Sequence, residues 1–212
     1  MLWQFGFFDW NGTLLDDLEI AYESVKEIFR RFKLQSPTLQ EYRTKISSDF
    51  SGFYYQNGIP RETTPEELNL IRKEFLETYW CDAKLHDGAL GLLQTCAASG
   101  LKIGLVSAEV PEILAARLQQ FGIKDLFFHA EGGAWPKKDA LKRLGEKLEL
   151  RNGTWAFYVD DTPEGIQAAS EAGFTTVGFA NGYALPSAIR RARPNFIAHS
   201  LSEIARIVQS AQ

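Results

Sequence analysis

Leu2-Trp3-Gln4-Phe5-Gly6-Phe7-Phe8-Asp9-Trp10-Asn11-Gly12-Thr13-Leu14 runs from an apolar stretch into an acid and then into a turn dipeptide. The apolar, aromatic-rich run from Leu2 to Phe8 reads as a buried strand ending at Asp9, and Asn11-Gly12 stops it. An acid at the end of a buried strand is either a turn residue or part of a site. The chain that follows discriminates between these readings.

From Asp16 to Leu34 the apolar spacing changes to helical period, with Leu18, Tyr22, Val25, Ile28, Phe29 and Phe32 on one face. Ser36-Pro37-Thr38 ends that helix. Thr38 to Ile46 reads as a short helix, and Ser47 to Ile59 as an irregular stretch. Thr64-Pro65 opens a helix running to about Trp80. Residues 16 to 86 thus read as all-helical. Beyond His86-Asp87-Gly88 the chain alternates. Helices are expected over Ala89–Ala98, Pro111–Phe121, Lys137–Leu150 and from the Thr162 cap to Gly173, with a last one from Ser202. Strands are expected over Leu101–Val106, Leu126–Phe128, Trp155–Val159, Thr175–Phe179 and Asn195–Ala198. Alternation of this kind implies βαβ units and a Rossmann-like parallel sheet with helices on both faces. In such sheets ligands bind beyond the carboxyl ends of the strands. Asp9, Ser107 and the pair Asp160-Asp161 all stand at such ends.

The 212 residues suggest one to two domains at about 150 residues each. The pattern resolves this as an α/β core, 1–15 and 87–212, interrupted by a helical domain, 16–86. Hydrophobic residues make up 45% of the chain, enough to bury a core and to exclude wholesale disorder. Twenty-three basic against 27 acidic residues give a net charge of −4, which argues against nucleic acid or an anionic membrane as partner. A small phosphorylated substrate stays compatible, since one local cation and a metal suffice for it. Cys81 and Cys96 form neither a metal spacing nor a disulfide framework. No apolar run reaches the roughly 20 residues of a membrane span, and Met1–Phe8 lacks a basic leader, so a reducing cytoplasm is expected.

Together these segments resemble the haloacid dehalogenase superfamily. Asp9-Trp10-Asn11-Gly12-Thr13-Leu14 corresponds to its first motif, Asp-x-Asp-Gly-Thr-Leu. Ile103-Gly104-Leu105-Val106-Ser107 corresponds to the second, Lys137 or Lys138 to the third, and Val159-Asp160-Asp161-Thr162-Pro163 to the fourth. Ala168–Gly173 and Val177–Tyr183 also follow the family, most nearly its phosphoglycolate-phosphatase-like branch with a helical cap after the first motif. The resemblance implies a phosphatase with Asp9 as nucleophile, since a carboxylate can attack phosphorus and form an aspartyl phosphate. Gly12 would let backbone approach the phosphate, while Thr13, the turn amides and Ser107 would donate to its oxygens. Lys137 would neutralise phosphate and nucleophile. Mg²⁺ is the implied cofactor, a hard cation needing oxygen ligands. Asp9, the backbone carbonyl of Asn11, and Asp161 are the implied ligands, with Asp160 beside them.

Two departures bear on activity. The family's second Asp, which protonates the leaving oxygen and then activates water, is Asn11 here, and an amide cannot transfer that proton. Such help is worth about 10² to 10⁴-fold. The fourth motif commonly reads Gly-Asp-x-x-x-Asp; here Asp160 replaces the Gly and Gly165 the last Asp. The expectation is a Mg²⁺-dependent phosphomonoesterase, with a catalytically impaired member that binds a phosphorylated ligand or a protein as the alternative. Lys45, Ser47, Ser48 and Asp49 are candidates for reaching into the site from the cap.

Overall fold

The structure is a computed structural model that describes residues 3–45, 50–79, 82–150 and 155–210. The chain divides into two compact units, Met1–Leu15 with Leu85–Gln212, and Asp16–Lys84.

The first unit is built on a six-stranded parallel sheet. Its strands are β1 (Phe5–Phe8), β4 (Lys102–Val106), β5 (Phe127–Glu131), β6 (Ala156–Asp160), β7 (Thr175–Phe179) and β8 (Phe196–Ala198), in the spatial order β5-β4-β1-β6-β7-β8. Five helices connect the strands or follow them: α5 (Ala89–Ala98), α6 (Pro111–Gln120), α7 (Lys137–Lys147), α8 (Pro163–Ala172) and α10 (Leu201–Ser210). A sixth, α9 (Pro186–Arg191), is too short to carry an apolar period and escapes the sequence reading. The fold is α/β and Rossmann-like.

β1 is central, which is why its residues are almost wholly apolar: buried on both faces, it cannot alternate. Phe7, Val106 and Tyr158 meet Leu141 and Leu144 of α7 and Ala168 and Ala169 of α8 in one buried cluster. α5 packs on β4 and against α10. β1 is shorter than its apolar run suggests, beginning at Phe5. β5 is longer than expected, continuing to Glu131.

The second unit holds α1 (Leu18–Arg31), α2 (Leu39–Lys45), α3 (Phe50–Gln56) and α4 (Pro65–Tyr79). Thr64 opens α4 with a capping box: its hydroxyl accepts from Glu67 N, and the Glu67 carboxylate accepts from Thr64 N. α3 corrects the sequence reading of an irregular stretch over Ser47–Ile59. Phe53 and Tyr54 are buried; Phe53 meets Phe29 of α1 edge to face, Tyr54 lies tilted against the same ring, and Phe53 also meets Tyr42 of α2. Ring burial holds a helix there that composition did not suggest. The all-helical reading of 16–86 is also corrected, because β2 (Leu15–Asp16) and β3 (Lys84–Leu85) pair in a two-stranded sheet. The side chain of Lys45 and residues Ser47, Ser48, Asp49 and Cys81 lie outside the described residues. Among the described residues, no helix is long and apolar enough to cross a membrane.

Candidate active site

All six strands of the main sheet are parallel, so their carboxyl ends share one edge. There β1 delivers Asp9, β4 delivers Ser107, and β6 delivers Asp160 and Asp161. Lys137, the first residue of α7, returns to the same place. The Lys137 ammonium lies 3.0 Å from Asp9 Oδ1 and 2.8 Å from Asp160 Oδ2. Lys138, the competing assignment, points elsewhere and pairs with Glu171 at 2.8 Å on the exposed face of α7.

The turn after β1 is closed by backbone bonds, the Trp10 carbonyl accepting from the amides of Thr13, Leu14 and Leu15. Gly12 sits at φ +73, where a β-carbon would be 2.2 Å from the Tyr183 ring and 2.4 Å from Asp161 Oδ2. Only glycine meets both conditions. Thr13 differs from its sequence reading as a donor to substrate. Its hydroxyl is fully buried and donates to Asp161 Oδ1 at 2.8 Å, so its proton serves that carboxylate. Asp161 Oδ2 accepts from the Tyr183 amide at 2.6 Å. Asp160 is held by the amide and hydroxyl of Thr162, which donate to its Oδ1 at 2.8 and 2.6 Å. Thr162 also caps α8, accepting from Gly165 N.

The two departures in the fourth motif are one event in space. A β-carbon on Gly165 would fall 2.0 Å from Asp160 Oδ2 and 2.2 Å from its Cγ. The carboxylate at the end of β6 fills the volume that a side chain at 165 would need.

Asp9, Asp160 and Asp161 are all buried, and each offers an oxygen within 4.8 Å of the other two. Burial pushes the Asp9 carboxyl up to about 7, with Asp160 adding to the rise and Lys137 opposing it. Burial, then the neighbouring Asp160 and Asp9 charges, raises Asp161 well above the carboxylate range. Burial alone would lower Lys137, but the charges of Asp160 and Asp9 outweigh it and hold the ammonium well above its ordinary value. Ionised together, three buried carboxylates would exceed the charge of one ammonium, and the donors are all oxygen. A hard divalent cation fits this set.

Glu109 has no place in the sequence reading. Asn11 Nδ2 donates to Glu109 Oε2 at 3.3 Å, and the Glu109 amide donates to Ser107 Oγ at 3.0 Å. No spacing announces it, because the contact joins residues 98 apart in the chain.

Comparison with known proteins agrees with this geometry. The model for haloacid dehalogenase-like hydrolases matches residues 7–179. A phosphoglycolate phosphatase of Vibrio parahaemolyticus is 25% identical over 95% of this chain and 94% of its own length, and one of Vibrio vulnificus is 26% identical over the same shares. A haloacid dehalogenase-like hydrolase of solved structure from Streptococcus pneumoniae superposes with a TM-score of 0.82 at 17% identity, covering 97% of this chain and 98% of that one. An α/β sheet with carboxylates gathered at one edge and a hydrolase model over most of the chain define an enzyme of the hydrolase class. The chain belongs to the haloacid dehalogenase-like hydrolase family.

Proposed function

We propose that the protein is a Mg²⁺-dependent phosphomonoesterase that acts on a small phosphorylated metabolite through an aspartyl phosphate on Asp9. The observation that carries this reading is the Lys137 ammonium between Asp9 and Asp160, with Asp161 close enough to share a cation. The phosphoglycolate phosphatases among its relatives support the same class of substrate.

Asp9 is the nucleophile. One of its oxygens bonds to phosphorus as the ester oxygen departs, and water then displaces Asp9 to give inorganic phosphate. Lys137 opposes the rise that burial imposes on the Asp9 carboxyl and so favours its attacking, ionised form. It also offsets charge on the phosphoryl group, so positioning and electrostatics supply most of the acceleration. Ser107 Oγ receives the Glu109 amide through a lone pair, which leaves its proton for a phosphoryl oxygen. Asp9, Asp160, Asp161 and the Asn11 carbonyl would hold Mg²⁺, which would supply charge neutralisation when bound.

The test is a screen of phosphorylated metabolites with Mg²⁺, using Asp9→Asn as the blank. Cleavage of at least one ester by the parent and loss of that activity in the variant are expected. Asn11 favours a second reading, in which the site binds phosphate without turnover. Failure to cleave any ester, with Mg²⁺ and phosphate still raising the melting temperature, would establish that one instead.

A further inference from the structure

The alcohol of an alkyl phosphomonoester leaves as an alkoxide unless a proton reaches it, and the water that follows must lose one. Asn11 can do neither. Asp9 is engaged as nucleophile. Asp160 and Asp161 are fully buried, out of reach of water, and are the carboxylates proposed to hold the cation. Another acid at the rim is therefore required if alkyl esters are to be cleaved at speed.

Resting on the phosphatase reading, we infer that Glu109 supplies this proton transfer, its carboxyl held in place by the amide of Asn11. Four contacts fix it. Its Oε2 accepts from Asn11 Nδ2 at 3.3 Å and its Oε1 from Val110 N at 2.9 Å. Its own amide donates to Ser107 Oγ at 3.0 Å, and its carbonyl accepts from Gly133 N at 2.6 Å. The loop after β5 closes on this turn so tightly that a β-carbon at Gly132 would lie 2.7 Å from Pro111 Cα and 2.9 Å from the Glu109 carbonyl oxygen. Glu109 is thus a built feature of the turn after β4. It is half-buried, within reach of water, and among the described residues no lysine or arginine pairs with it. Its partner at position 11 is a side-chain amide, so the contact leaves the Asn11 carbonyl untouched.

The steps balance as follows. As the Asp9–phosphorus bond forms and the ester P–O bond breaks, the Glu109 carboxyl gives its proton to the departing alkoxide. Water then attacks phosphorus, its proton passes to the Glu109 carboxylate, and the Asp9–phosphorus bond breaks. Ester and water become alcohol and inorganic phosphate, and Glu109 ends as it began. Asn11 positions Glu109 and takes no proton itself.

The experiment compares the parent with Glu109→Gln, Asp9→Asn and the double variant Asn11→Asp/Glu109→Gln, on an alkyl phosphate and on p-nitrophenyl phosphate. In Glu109→Gln, turnover of the alkyl ester is expected to fall about 10² to 10⁴-fold, the range of general acid–base help. The first burst of p-nitrophenol survives, because that leaving group needs no proton, and the phosphoenzyme then accumulates. A carboxyl returned at position 11 in the double variant restores alkyl turnover about tenfold or more. Two outcomes overturn the inference: alkyl turnover in Glu109→Gln within about threefold of the parent, or equal loss of burst and turnover with no rescue by Asn11→Asp. If the parent cleaves neither ester, the phosphatase reading itself fails, and if Asp9→Asn cleaves both like the parent, the aspartyl phosphate on Asp9 fails, whatever Glu109 does.

Discussion

Position 165 cannot receive a side chain while Asp160 stands at the end of β6, since the two would occupy the same volume. Gly165→Asp alone is therefore expected to destabilise by about 1–3 kcal/mol, the usual cost of overpacking a tight site. Urea denaturation measures it, and the paired variant Asp160→Gly/Gly165→Asp should recover most of the loss. A single variant as stable as the parent would show that the carboxylate moves aside at little cost. The same contact explains what the sequence could and could not disclose. Asp9, Ser107, Asp160 and Asp161 stand out because each closes an apolar strand, whereas Lys137 and Lys138 both stand at a helix start and are told apart only by their ion pairs. The exchange between 160 and 165, the diversion of Thr13 to Asp161, and Glu109 all depend on distances through space, which no spacing along the chain encodes.

Elements with many residues and one strong period were the legible ones. The strands and helices from Ala89 onward follow from apolar runs broken by glycine and proline, with boundary shifts of a few residues. α9, a six-residue helix, and β2 and β3, two residues each, are too short for their type to show an apolar period, and α3 is hidden because its stabilising contacts are rings on other helices. α7 matters beyond its own stability, because it carries Lys137 to the sheet edge. Leu141, fully buried one turn into that helix, anchors it on Phe7 and Tyr158. Leu141→Ala is expected to cost about 2–5 kcal/mol in urea denaturation, the range for a deleted core leucine. Phosphatase turnover should fall less than in Asp9→Asn, since the charged groups remain.

For the whole molecule, the buried carboxylates make stability depend on pH. Asp9 titrates near 7 in the folded chain against 3.8 ordinarily, so the folded state holds more protons between those values. Stability then declines as pH rises across that window, and Asp161, shifted the same way, adds to the decline. The metal-free protein should melt higher at pH 5 than at pH 8. Added Mg²⁺ should raise the melting temperature more at pH 8, because it binds the ionised carboxylates of the folded state. A melting temperature flat from pH 5 to 8 in chelator, and unmoved by Mg²⁺, would contradict both the burial of these charges and their use as ligands. One last consequence comes from β2 and β3, the two-residue strands that pair where the helical insertion leaves the core and returns. They act as a clasp: the chain between Leu15 and Leu85 is an excursion whose ends are already tied. Lengthening such an excursion adds closure entropy only logarithmically, about 0.6 kcal/mol per doubling. The insertion can thus change in size and sequence almost independently of the sheet that carries the carboxylates.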